Sequence, residues 1–283
     1  MARLISNIIL KMFGRRAAYT YRYFTVRGRL PNFSHPKNLS EIIISRIISD
    51  ETVKFADYAD KIKVRDYIRE KGLESILLTH YHYWDNPDEI ELSELPDKFV
   101  LKTNNGEGGH DVVICRDKKS FDVGSAKEKL RGSLSKKGKY DYQYNYIKPR
   151  ILCEELIETA DGSQPTDYKF LCLHGEPVSI FVASDRNENG KACFCSKTID
   201  WQPLNDIRSK FNPSHDVAKP KHLAEMVAIA KILSADFELV RVDLYEYKDQ
   251  VFFGELTFSP GGGLFSYNLD ALERYGRIYN DGK

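Results

Sequence analysis

Residues 236–264 read DFELVRVDLYEYKDQVFFGELTFSPGGGL. Val240, Val242 and Leu244 alternate with Arg241, Asp243 and Tyr245; Phe252, Gly254 and Leu256 alternate with Phe253, Glu255 and Thr257. Two alternating runs around the short polar turn 247–250 predict a β-hairpin, followed by a glycine-rich loop. A turn centred on Asp249 sets Asp243 opposite Glu255 and Arg241 opposite Thr257. Opposed side chains on one face have Cβ atoms about 5 Å apart, where like charges repel. Two facing carboxylates fit a shared divalent cation, and two carboxylates plus phosphate oxygens make a Mg²⁺ site. The competing reading is a solvated outer face.

Upstream of the hairpin the pattern is mostly strand. DYKFLCLHGEPVSIFVASD reads as a strand, a turn and a second strand, and ACFCSKTI as another. A helix, HLAEMVAIAKILSA, starts after Pro220, and the tail from Leu269 is helical. The middle of the chain differs. KFVLKT and DVVICR are strands flanking the loop NNGEGGH, a helix spans 120–137, and residues 151–157 form a strand. Gly106, Gly108 and Gly109 let backbone amides approach phosphate oxygens closely. This is no Walker loop, because no Gly-Lys-Ser/Thr follows and a strand comes next. Lys102 ends the incoming strand and adds a fixed cation.

Residues 1–95 read as mainly helical, with a strand at 76–84. Asn38 or Ser40 caps the first isoleucine-rich helix. A second helix, capped by Asp57 or Asp60 and ended by Gly72, carries Lys61, Arg65 and Arg69 at four-residue spacing. The expected class is α+β: a mainly helical region 1–95, a small lobe 96–157, a larger lobe 158–283, and a cleft between the lobes.

With 42% hydrophobic and 29% charged residues the chain is an ordinary folded protein. A net charge of +1, without a basic–aromatic groove, argues against nucleic acid as a partner. The five cysteines, Cys115, Cys153, Cys172, Cys193 and Cys195, form no CxxC pair and suit a reducing, cytoplasmic setting. Cys193 and Cys195 fit a buried strand better than a ligand pair. No apolar run of about 18 residues predicts a membrane span. Residues 1–16 do not fit a signal peptide, because the apolar stretch is short and Lys11, Arg15 and Arg16 follow it. They read as an amphipathic basic helix, either packed on its own protein or lying at the inner face of a membrane.

VLKTNNGEGG, CEELIE, DYKFLCLHGEP and the final hairpin with its SPGGG loop stand in one order. Together they resemble the ATP-grasp superfamily, and within it the TupA-like branch tied to teichuronopeptide and other bacterial surface-polysaccharide synthesis. The likeness covers about residues 55–268. It implies two lobes clasping ATP, with Mg²⁺ as cofactor. Lys61 and Lys102 then match phosphate-contacting cations, and the loop 104–110, with Gly106, Gly108 and Gly109, matches the lid. Glu154, Glu155, Leu156 and Ile157 match the inter-lobe linker that meets adenine. Asp167 matches an acid placed on the ribose, and Lys169 and Lys197 are further cleft cations. Asp243 and Glu255 match the metal ligands. Thr257 stands where related peptide ligases carry a third, usually asparagine. Arg241 matches an arginine that steadies the transferred phosphate, and Gly261 a glycine whose N–H stabilises the tetrahedral intermediate. The helical start of the chain departs from ligases that begin with a Rossmann-like domain, so no acceptor site carries over. Arg186 and the loop 259–263 are candidates for it.

The activity so implied is ATP-dependent ligation of a carboxylate to an amine through an acyl phosphate, with an amino acid or amine joined to a sugar acid of a surface polysaccharide. The rivals are a phosphotransferase that forms no amide and a non-catalytic partner of the assembly machinery.

Overall fold

The computed structural model describes residues 2–106, 112–136, 138, 142–159, 162–184, 193–211 and 217–282. Among these residues two antiparallel sheets form the α+β framework. The first orders its strands β1 (His80–Trp84), β4 (Ile151–Glu154), β2 (Phe99–Thr103) and β3 (Val112–Cys115). The second runs β10 (Gln250–Thr257), β9 (Leu239–Tyr247), β5 (Asp167–Leu173), β6 (Glu176–Ser184), β7 (Cys193–Lys197) and β8 (Pro203–Leu204). The helices are α1 (Ala2–Arg27), α2 (Leu39–Ile48), α3 (Ala56–Ala59), α4 (Val64–Glu70), α5 (Val123–Leu134), α6 (Leu223–Ser234) and α7 (Leu269–Asp281).

In the first sheet β2 has a two-residue burial period. Phe99 and Leu101 pack with Ile151, Cys153, Trp84 and Leu130 of α5. Lys102, one residue out of phase, projects from the opposite face. The second sheet is covered on both sides. Phe170, Ile180, Val242 and Leu256 pack with Met226 and Leu233 of α6 and with Tyr67 and Ile68 of α4. Leu171, Leu173 and Leu239 meet Tyr19 and Tyr23 of α1, Ile43 and Ile47 of α2 and Tyr275 of α7. Each fully buried aliphatic side chain contributes about 1.5–3 kcal/mol, so these layers hold the sheet rigid. The expected helical region 1–95 therefore wraps the larger sheet and also donates β1 to the smaller one.

Three expectations change. The helix expected to start at Asp57 or Asp60 and to end at Gly72 is shortened to α4 (Val64–Glu70), residues 61–63 forming a turn after Asp60, whose backbone is extended (φ −71°, ψ 115°). Its carboxylate accepts the Ile62 N–H at 2.8 Å, a local bond that competes with the helical ladder. The cationic stripe is lost as a result. Arg65 donates to the Leu78 carbonyl, Arg69 pairs with Asp66 and Glu74, and Lys61 points elsewhere. The strand expected over 76–84 begins only at His80. The strand expected over 151–157 ends at Glu154, and residues 155–157 form a half-buried linker. Of the two expected caps, Asn38 is the one that caps α2, its side chain accepting the Glu41 N–H at 3.1 Å, and Ser40 lies inside the helix.

Candidate active site

The hairpin β9–β10 turns on Lys248 (φ 46°) and Asp249 (φ 63°), a two-residue turn with both residues left-handed. Such turns match the right-handed twist of the strands. From this turn the register runs Gln250 opposite Tyr247 to Phe253 opposite Leu244. It then shifts by one residue, so that Glu255 faces Asp243 and Thr257 faces Arg241. The expected pairing is present, by a different route. The turn is tighter than expected, and a bulge at Gly254 supplies the missing residue. A Cβ on Gly254 would lie 2.9 Å from the Tyr245 ring and 3.0 Å from the Asp243 carbonyl oxygen, so only glycine fits.

β5 lies on the other side of β9 and sets Lys169 opposite Asp243. Glu255, Asp243 and Lys169 thus form one row across three strands. Lys169 Nζ stands 2.5 Å from Asp243 and 2.9 Å from Asp167. Arg241 Nε and Nη2 each bond Asp243 at 2.6 Å, and Nη2 also reaches Glu255 at 3.2 Å and the Thr257 hydroxyl at 3.1 Å. Thr257 donates to Glu255 at 3.0 Å. Lys61 Nζ stands 3.6 Å from the other Glu255 oxygen and donates to the Gly106 carbonyl at 2.7 Å. Three cations from three separate segments so converge on two carboxylates.

These charges set the titration of the pair. Burial pushes the Glu255 carboxyl up, but Lys61, Arg241 and Lys169 outweigh it and hold it at about 2. Burial, with Glu255 alongside, pushes Asp243 upward against Arg241 and Lys169. Two carboxylates in one site separate in this way because both cannot ionise with equal ease.

Lys61 is placed by a connection that the sequence reading did not identify. Asn104 is buried where β2 runs into the glycine loop. Its amide donates to Asp60 at 2.9 Å and to the Lys148 carbonyl at 3.0 Å, and its side-chain oxygen accepts from Arg150 N at 2.7 Å. Lys61 N–H donates to the Asn104 carbonyl at 3.1 Å. The visible signal was the Asn104-Asn105 pair before the glycines, a place where side chains commonly bond backbone.

The other expected site residues fall as follows. Lys102 forms an ion pair with Glu154, the last residue of β4. Glu155 N–H donates to the Thr79 carbonyl, and the Thr79 hydroxyl donates to the Glu155 carboxylate, each at 2.9 Å. Leu156 and Ile157 follow it in the linker, half-buried. Lys197 is not brought to the cluster. It stands opposite Ile180 on β6, in the row of Phe170 and Val242 on the α6 side of the sheet, with its Nζ 5.6 Å from the Trp201 ring. Ser196, its neighbour, belongs to the face that carries Lys169. Gly261 lies in the turn Pro260–Gly263 that follows β10, with its backbone left-handed (φ 55°, ψ 23°). Gly263 fixes that turn to α2. It has φ +75°, its carbonyl accepts from the Ser40 hydroxyl, and a Cβ there would stand 2.5 Å from Ile44. Gly108, Gly109 and Arg186 lie outside the described residues.

The donor set suits a hard divalent cation. Among the described residues no cluster of three or more His, Cys, Asp or Glu side chains forms a closed metal cage. Two carboxylates and one hydroxyl at one spot instead match Mg²⁺, which keeps several waters or phosphate oxygens among its ligands. Lys61, Lys169 and Arg241 balance the negative charge of these two carboxylates.

No match was found among curated proteins. Solved structures similar to the chain include the ADP complex of purK, a carboxyaminoimidazole ribonucleotide synthetase, at 16% identity and TM-score 0.40, covering 71% of this chain and 45% of that one. D-alanine–D-alanine ligase from Helicobacter pylori is also similar, at 16% identity and TM-score 0.41, covering 77% of this chain and 58% of that one. The ATP-grasp ligase PsnB, complexed with a phosphomimetic variant of its minimal precursor, Mg and ADP, shares 10% identity at TM-score 0.42, covering 97% of this chain and 73% of that one. The chain thus spans about half the length of the first two. The profile of TupA-like ATP-grasp proteins matches residues 41–273, which take in both sheets and every residue of the ionic cluster, and the chain belongs to that family.

Proposed function

We propose that the protein is an ADP-forming ligase that joins a carboxylate to an amine. The observation that carries this reading is the row Glu255–Asp243–Lys169, with Arg241 and Lys61 closing on it. A stable solvated face has no use for two opposed carboxylates that three cations must neutralise. A phosphoryl-transfer site needs such a set, because its catalysis consists of positioning and charge compensation.

Lys102 and Lys61 hold the phosphates of ATP, with the loop that starts at Asn104 as a cover. Glu154 to Ile157 meet the adenine, and Asp167 the ribose. Asp243 and Glu255, with Thr257, hold Mg²⁺, which when bound screens the triphosphate charge and polarises the γ-phosphoryl group. A substrate carboxylate attacks that phosphorus, ADP leaves, and an acyl phosphate forms. Arg241 neutralises charge on the transferred group. An amine then attacks the acyl carbon, phosphate leaves with its bonding pair, and the amine gives up a proton. The Gly261 N–H stabilises the oxyanion. Water has to be kept from the acyl phosphate, and cover-loop closure does so.

Membership of the TupA-like family supports a sugar acid of a bacterial surface polysaccharide as the carboxylate and an amino acid or other amine as the acceptor. The enzyme works in the cytoplasm. The test is release of ADP and phosphate across a panel of sugar acids and amines. Amine-dependent phosphate release, lost in Asp243→Asn/Glu255→Gln, is expected. A phosphorylated product made without any amine would replace the ligase with a phosphotransferase.

A further inference from the structure

We propose that the first half of α1 docks on an anionic lipid surface as an interfacial helix. α1 is two helices joined at Gly14, whose backbone is non-helical (φ 77°, ψ −179°). The second half is built into the protein. Tyr19 and Tyr23 are fully buried, and Arg15 bonds Asp50 through two contacts of 2.6 and 2.7 Å. The first half is exposed on its apolar side. Leu4, Ile8 and Met12, one helical turn apart, are 66%, 49% and 68% accessible, with Ile5 beside them and Phe13 at 68%. Past the kink the patch continues as an open groove lined by Phe13, Arg16, Ala17, Phe24 and Leu30. Leu30 is 72% accessible. A run of exposed large apolar side chains of this extent marks an interaction surface.

Charge selects the occupant. The first 40 residues contain Arg3, Lys11, Arg15, Arg16, Arg22, Arg27, Arg29 and Lys37, and no aspartate or glutamate. Arg15 and Arg29 are committed to Asp50 and Glu273, and Arg27 is buried. Lys11 and Arg16 remain exposed on α1 beside the apolar stripe. A second copy of the chain would bring the same cations against themselves, because a two-fold contact pairs a patch with its own image. A bilayer carrying anionic headgroups accepts both the apolar stripe and the cations. No helix among the described residues is long and apolar enough to cross a membrane, so the contact is peripheral. This inference does not rest on the reaction proposed above.

The test is co-sedimentation of the full chain with vesicles of phosphatidylcholine alone and with about one third phosphatidylglycerol. The expected result is binding to the anionic vesicles, weak binding to the neutral ones, and loss at high salt. Replacing Leu4, Ile8, Met12 and Phe13 together by serine should lower partition about tenfold or more. Affinity for an ATP analogue, unchanged in the same variant, confirms that it is folded. If that variant is misfolded, Lys11→Glu decides: it should weaken binding to anionic vesicles only. Equal partition of parent and variants, absence of binding, or self-association abolished by the same serine substitutions overturns the proposal.

Discussion

Among the described residues Lys102 pairs with the carboxylate of Glu154, and its side chain is 17% exposed. On the proposed reading it exchanges that partner for phosphate oxygens. Lys102→Ala should weaken binding of a Mg²⁺–ATP analogue by about 1–3 kcal/mol, the range for a lost charge-assisted hydrogen bond. Calorimetric titration reads this directly, and unchanged affinity removes Lys102 from the site. At this scale much of the site was legible. Asp243, Glu255, Arg241 and Thr257 sit on two alternating runs, and alternation fixes which side chains share a face. Lys197 illustrates the limit. Its strand also alternates, but alternation within one strand does not say which face looks toward the cleft. That depends on the register with β6, a pairing made with residues far away in sequence. The stripe expected of Lys61, Arg65 and Arg69 fails because the helix begins only at Val64, three residues later than a cap at Asp60 would start it.

The decisive feature among the elements is the bulge in β10. Without it Glu255 would face Val242 and turn away from Asp243, because a one-residue slip exchanges the two faces of a strand. Gly254→Ala should destabilise the fold by about 1–3 kcal/mol through forced displacement of Tyr245 or the strand. It should also impair Mg²⁺-dependent turnover, although no ligand has been touched. Urea unfolding and phosphate release measure the two effects, and a silent substitution would mean that the bulge does not position Glu255. The glycine inside a strand was itself the available sign, since such a residue marks a bulge or a close approach. The joint between the Lys61 turn and the glycine loop was less visible, being carried by one buried amide. Asn104→Ala leaves Asp60 without its amide partner and should cost about 1–3 kcal/mol. Loss of nucleotide affinity greater than that caused by a distant substitution of equal stability cost would show that the joint also holds Lys61.

For the whole molecule, the expected α+β class and the two sheets follow from strand order and period. The packing of α1, α2 and α7 on one face of the larger sheet does not, because these helices come from opposite ends of the chain. The acid response belongs to this scale too. Glu255 is held at about 2, below its ordinary 4.5. A group depressed in the folded state adds stability that is complete above its unfolded value and lost as pH falls through its folded one. Lys98 and Arg116 depress Glu158, and Lys71 with Tyr67 depresses Asp236, so they act in the same direction. Asp243, raised by burial, acts in the opposite one. The urea midpoint should therefore decline as pH drops from 4.5 toward 2, and Glu255→Gln should make that decline shallower. A slope identical in the two proteins would contradict the depressed carboxyl.

The register of the hairpin also implies an order in time. β9 and β10 are neighbours in sequence, and an isolated hairpin closes in about 1–10 μs. Asp243 and Glu255 then meet with Arg241 as the one cation drawn from the same hairpin. Lys169 must arrive from 74 residues away, and Lys61 from farther still. Loop closure over such spans is the slow part of folding. During that interval the two carboxylates repel within a pairing that is already formed. Relieving the repulsion should speed refolding. Asp243→Asn offers a direct trial in a stopped-flow chevron: its folding limb should rise, even where its overall stability falls.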